Sequence, residues 1–185
     1  MSALTLTAKK LSVKTQTIAT VCAIASAVAL PQIFHIMGAM SGLGTSLGEI
    51  FLPMHLPIIL VGLLAGPYVG AISGIFAPLL SFMLTKMPSP VMLPFMMIEL
   101  CIYGLCAGIL RNNTNMPSIL KVLIAQLAGR ATRGLAIVIA VYGFGSPLPV
   151  ATIWNSIGIG IIGLALQWTL LPLIVYRIEN ASKNE

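Results

Sequence analysis

Three side chains in this sequence combine formal charge with an apolar setting: Glu99, Arg130 and Arg133 are each flanked on both sides by long apolar runs. A carboxylate facing a guanidinium can form a buried ion pair. A guanidinium left over offers a forked set of donors to a ligand carboxylate or phosphate. At the centre of a bilayer each such group costs about 2.5–3.5 kcal/mol on insertion scales, so three of them require pairing or a polar cavity.

The elements that must position them follow from the flanking sequence. Apolar spans at about 91–110 and 117–142 meet at the polar turn Arg111-Asn112-Asn113-Thr114-Asn115, which predicts an antiparallel helical hairpin. Glu99 precedes Arg111 by twelve residues and Arg130 follows Pro117 by thirteen. At 1.5 Å per residue both lie about 18–20 Å from the same end of the hairpin. Arg133 is three residues further on and shares a helix face with Arg130. The expectation is that Glu99 pairs with Arg130 and leaves Arg133 for an anionic ligand; an internal ion-pair lock orienting the two helices is compatible with this.

Other reactive side chains are sparse. His35 closes the first apolar run, His55 lies between Pro53 and Pro57, and Glu49 stands between them in a glycine-rich stretch. These side chains suit hydrogen bonding in a pocket. No HExxH or comparable spacing makes them a metal site, and none is expected. Cys22, Cys101 and Cys106 all lie in apolar runs with no CxxC, as small buried hydrophobes do. Neither a phosphate loop, nor GxGxxG, nor GxSxG is present, so the chain is read as a non-enzyme without cofactors. An intramembrane enzyme built on Glu99, His35 or His55 is the weaker alternative, and a stand-alone ion-coupled carrier the stronger one.

With 58% hydrophobic residues, 8% charged residues and a mean hydropathy of +1.02, the chain of 185 residues reads as a polytopic membrane protein. Its long apolar runs lack the alternation of a membrane β-barrel. The expected fold is an all-α integral membrane protein, one six-helix domain over 1–185, with spans at about 17–37, 53–65, 68–85, 91–110, 117–142 and 150–176. The first run continues past the cleavage look-alike Ala25-Ser26-Ala27, so it is a span and not a signal core. Lys9, Lys10, Lys14, Arg111, Lys121, Arg177 and Lys183 fall on one side of this topology and Lys86 alone on the other, which makes both termini cytoplasmic. The net charge of +6 is spread over span ends with no basic stripe, so it reads as topology and gives no reason to expect nucleic acid; the surrounding partner is membrane lipid.

Ala19, Ala23 and Ala27 recur every fourth residue in the first span, with Ala25 and Ala29 as a second pair on a nearby face. Small residues at this spacing let another helix approach closely, either within the chain or on a partner. Gly62 and Gly66, then Gly70 and Gly74, thin the second and third spans in the same way. The segment 38–52 is glycine-rich and reads as a flexible outer loop of the length that lids have. Tyr103 and Trp154 are candidate aromatic platforms, with an interfacial belt position as the other reading of Trp154.

The six-span layout, the alanine stripe, GEIFLPMHLPIILVGLLAGPYVGAISGIFAPLLSFMLTKMP after the glycine-rich loop, PFMMIELCIYGLCAGIL and QLAGRATRGL together resemble the substrate-binding S component of an energy-coupling factor (ECF) vitamin transporter. The resemblance implies a multi-pass protein of a bacterial cell membrane that captures a vitamin from outside. It further implies, as partners, a transmembrane coupling protein and two ATPase subunits, with Ala19, Ala23 and Ala27 docking on the coupling protein and 38–52 as a lid. Combined with the charged trio, it points to a small anionic vitamin of the nicotinate or pantothenate kind. Arg133, Arg130, Glu99, Glu49, His35, Tyr103 and Trp154 are the candidate substrate-binding residues.

Overall fold

The computed structural model describes residues 11–181, which form seven α-helices and no strand. They are α1 (Val13–Met40), α2 (Ser46–Phe51), α3 (His55–Ala65), α4 (Pro67–Thr85), α5 (Leu93–Asn113), α6 (Ser118–Phe144) and α7 (Ala151–Ala181). Six segments are long and apolar enough to cross a membrane, with α2 and α3 together making one of them, Ser46–Ala65. The chain is a multi-pass membrane protein. Lys9, Lys10 and Lys183, which enter the expected orientation, lie outside the described residues.

Local chemistry accounts for the breaks. The Ser12 hydroxyl accepts from the Thr15 amide and caps α1. Between α3 and α4 the chain turns on Gly66, at φ 106°, a conformation L side chains rarely adopt, and Pro67 then opens α4 where its missing N–H costs nothing. The long helices run past the apolar boundaries expected from the sequence: Arg111, Asn112 and Asn113 belong to α5 and do not form a turn. Backbone groups near lipid find partners most readily by continuing the helix.

The segment 38–52 also differs from a simple loop. Gly38 and Met40 still belong to α1, the Gly38 carbonyl accepts from Leu43 and Gly44, and α2 follows as a short helix ending at Leu52, which is left-handed at φ 49°. This segment is therefore a folded cap with exposed glycines only at Gly42 and Gly44.

Glycine carries the tightest packing. A Cβ on Gly104 would overlap the backbone of Gly70, and one on Gly74 the backbone of Leu100. Gly62 meets the Gly104 carbonyl and Gly108 meets Pro67. Hence α3, α4 and α5 touch backbone to backbone, with Ile58, Ile59, Leu100, Tyr103 and Ala107 in the core beside them. Gly66, with Pro67, is the hinge between α3 and α4 that the sequence also indicates.

The alanine stripe of α1 is turned inward. Ala27 is fully buried, and Ala23 packs with Val61 and Val69, with Ala19 and Ala65 against them. The expectation that Ala19, Ala23 and Ala27 form an external docking face is corrected for Ala23 and Ala27, whose side the glycine-thinned α3 and α4 cover within the chain, while Ala19 is half-buried. On the middle of α1 the exposed small residues are Ala25 and Ala29, with Cys22 and Ser26.

Candidate functional site

Glu99 lies on α5 one turn before Tyr103, and both are fully buried. The Tyr103 hydroxyl donates to Glu99 Oε1 at 2.8 Å. From α6, Arg133 Nη1 donates to Glu99 Oε2 at 2.9 Å, and Arg130 Nε lies 3.3 Å from Oε1. His55, at the start of α3, brings Nε2 to 4.0 Å from Oε1, and its ring tilts against that of Tyr103 with centroids 5.3 Å apart. One carboxylate therefore sits between two guanidiniums.

The expected division, with Arg130 neutralising Glu99 and Arg133 free, is corrected. Residues three apart on a helix share a face, and a carboxylate has two oxygens, so both arginines reach the same acid. The formal balance is unchanged, one acid against two bases. Arg130 spends another donor on the α7 backbone, Nη1 to the Ser156 carbonyl at 2.9 Å. Arg130 Nε and Nη2, Arg133 Nε, and both ring nitrogens of His55 are buried without a hydrogen-bond partner. Such atoms are uncommon in folded proteins, where ordered water or a ligand usually meets them.

These side chains line an open cavity of about 510 Å³. Of the residues predicted from sequence, Arg130, Arg133, Glu99, Glu49 and His35 are in its wall. Tyr103 is not; it lies behind Glu99 and holds it. Trp154 is not either: it is 72% exposed on the outer surface of α7. The two residues after it, Asn155 and Ser156, line the cavity, since each step along a helix turns the side chain by about 100°. His35, His55 and Glu49 share this cavity, but among the described residues no three His, Cys, Asp or Glu side chains converge as metal ligands.

Sequence reasoning gave His55 no part in the charged cluster and missed the cavity's thioether wall, Met54, Met87, Met92 and Met96. Methionines in a membrane span carry no distinguishing signal, but Asn155-Ser156 inside an apolar run did. So did Gln126 and Gln167, mid-span amides that are buried and bonded to each other, Gln126 Nε2 to Gln167 Oε1 at 2.9 Å.

The cavity is polarised. Glu99, Arg130, Arg133 and His55 come from α5, α6 and α3, while Glu49 comes from α2, where it is exposed. Such a space can hold a small molecule with an acidic group among the arginine donors and an apolar body on the methionines.

The family model for the substrate-specific component of ECF transporters matches residues 14–176. No curated protein and no solved structure matches the chain.

Proposed function

The chain belongs to the family of ECF transporter substrate-specific components, and on that premise we propose that its cavity captures a small acidic vitamin, of the nicotinate or pantothenate kind, from outside the cell. The observation that carries this reading is the set of buried, unpartnered donors on Arg130 and Arg133, two guanidiniums held against one acid in the wall of a 510 Å³ cavity. Glu99 keeps the arginines tolerable in the membrane and aims them. The ligand carboxylate takes the donors that Glu99 leaves over, and the methionine wall accepts the rest of the molecule.

In this reading both termini are cytoplasmic, the whole chain is one membrane domain, and the segment 38–52 is the lid over the cavity's outer mouth. Energy comes from a separate module of a transmembrane coupling protein and two ATPase subunits. With Ala23 and Ala27 packed inside, the docking face on α1 moves to the Ala25 and Ala29 side, which is exposed and small.

The test is chemical. Small molecules released from the purified protein are identified by mass spectrometry, and binding is then compared for acid and neutral pairs, nicotinate against nicotinamide and pantothenate against pantothenol. The acid of one pair binds at least tenfold tighter if a buried guanidinium receives it, as expected for a hydrogen bond to a charged group. Equal binding within each pair, or release of a neutral compound, overturns the assignment of an acid.

A further inference from the structure

A buried polar relay connects the end of the α2 segment to α6 and α7, and the charged cluster does not use it. Trp168 Nε1 donates to Gln126 Oε1 at 2.6 Å, Gln126 Nε2 donates to Gln167 Oε1 at 2.9 Å, and Gln167 Nε2 donates to the Leu52 carbonyl at 3.2 Å. Gln126 and Gln167 are 4% and 1% exposed, so the bond between them is made away from water, and the two flanking bonds are part-buried. Each amide uses its acceptor and a donor within the relay. Breaking one bond leaves a buried orphan, and the arrangement admits one geometry.

Its terminus is a particular residue. Leu52 ends α2 in a left-handed conformation, its carbonyl also accepts from the His55 amide at 3.1 Å, and its side chain lines the cavity. The surface that receives it is a glycine groove on α7. A Cβ on Gly160 would meet the Leu52 side chain at 2.8 Å and Arg130 Nη2 at 3.1 Å, and one on Gly163 would meet the Ile50 and Phe51 carbonyls at 2.6 Å. Gly160, Gly163 and Gln167 are spaced three and four apart and form one face. The other end of the segment turns back on α1, where the Gly38 carbonyl accepts from the Leu43 and Gly44 amides, and Gly42 and Gly44, at φ 75° and 58°, present no side chain to the surface.

We propose that Gln167 is a positioning residue for capture: it pins the C-terminal end of the α2 segment in the α7 groove, so that Leu52 stays seated beside Arg130 in the cavity wall. The inference rests on reading 38–52 as a lid. Gln126 lies one turn before Arg130 on α6, so the helix that presents the guanidiniums also orients the pin. Loosening the pin unseats Leu52 from the cavity wall, which shortens the time a bound molecule is held and leaves its entry unchanged.

The experiment needs no knowledge of the vitamin. Backbone amide hydrogen exchange is followed by mass spectrometry on the purified full chain in lipid nanodiscs, with no vitamin added, comparing wild type, Gln167→Met, Trp168→Phe and Leu171→Ala. Gln167→Met keeps the length and removes the amide; it is expected to raise exchange at residues 48–52 about tenfold and leave α4 and α5 at wild-type rates. Trp168→Phe removes only the outermost bond and is expected to raise the same amides about threefold, and it decides the matter if Gln167→Met does not accumulate. Leu171→Ala, at a fully buried apolar position one turn further on, reports ordinary loosening of α7. If the relay variants leave residues 48–52 at wild-type rates, or raise them no more than Leu171→Ala does, Gln167 does not position this segment. Absence of an acidic vitamin would overturn the assignment of an acid without altering these rates.

Discussion

The two sides of the helix bundle are held together by different means. On one side α3, α4 and α5 meet through glycines, with Gly70 against Gly104 and Gly74 against Leu100, so that backbone touches backbone. On the other, α6 is joined to α7 by single polar bonds, Gln126 to Gln167 and Arg130 to the Ser156 carbonyl. Lipid gives no hydrophobic drive to helix association, so each side needs its own specific attraction. The glycine seam has no side chain to rearrange and makes a fixed wall. The polar side adds directional bonds to the apolar packing of Val122, Ala125, Leu171 and Val175, and the cavity wall there contains Arg130, Arg133, Thr152 and Asn155. The difference teaches where this protein can yield: α5 carries Glu99 on the fixed wall, and the groups that must reach around a ligand stand on the side that can adjust.

The largest effect is expected where the two sides meet. Glu99→Ala removes the only acid that pairs with Arg130 and Arg133 among the described residues and leaves two buried guanidiniums without a counter-charge, at a cost of about 3–5 kcal/mol. Thermal unfolding in detergent measures it, and neutralising all three positions, with Arg130→Met and Arg133→Met added, is expected to recover most of the loss. Little recovery would mean that the trio holds shape for reasons other than charge. Next comes the fixed wall. Gly104→Val forces a branched side chain into the Gly70 backbone and is expected to cost about 3 kcal/mol, the upper end for overpacking. Gly70→Val acts on the same approach, so the double variant should fall well short of the sum.

How much of this the sequence revealed depended on the kind of question. Isolated charges in apolar runs announce themselves, and counting residues from a shared turn placed Glu99 at the depth of Arg130. Counting gives depth, though, not the rotation of one helix against the next, and so it could not tell that Arg133 would take the second oxygen of the same carboxylate. The same limit applies to Ala19, Ala23 and Ala27: the spacing marks a face for close approach, but whether a helix of this chain or of another covers it depends on which face turns inward. Gly62, Gly70 and Gly74 were legible as packing residues because a seam needs only their size. The pin at Gln167 was not, since its partner is a backbone carbonyl 115 residues away in sequence.

A smaller effect tests the adjustable side. Arg133→Lys keeps the charge opposite Glu99 and removes the fork, so stability should change little while an acidic vitamin loses a directed donor. Isothermal titration with nicotinate or pantothenate, whichever binds wild type, is expected to give about tenfold weaker binding. Unchanged affinity would assign the ligand to Arg130 alone.

The smallest expected effect concerns a residue that reads, in sequence, as an interfacial belt aromatic or a pocket wall. Trp154 is 72% exposed on α7, while Asn155 and Ser156 line the cavity. Trp154→Ala should therefore leave ligand affinity unchanged and alter stability by no more than about 0.5 kcal/mol, as for an exposed position away from any network. Asn155→Ala is its counterpart, one residue on and facing inward, and should weaken binding measurably in the same titration. If the two variants exchanged behaviour, α7 would be rotated by about one residue, roughly 100°, from the orientation that seats Asn155 in the cavity wall. That rotation would also carry Gln167 away from Leu52 and Ser156 away from Arg130, so this pair of substitutions checks the register on which the polar side of the bundle depends.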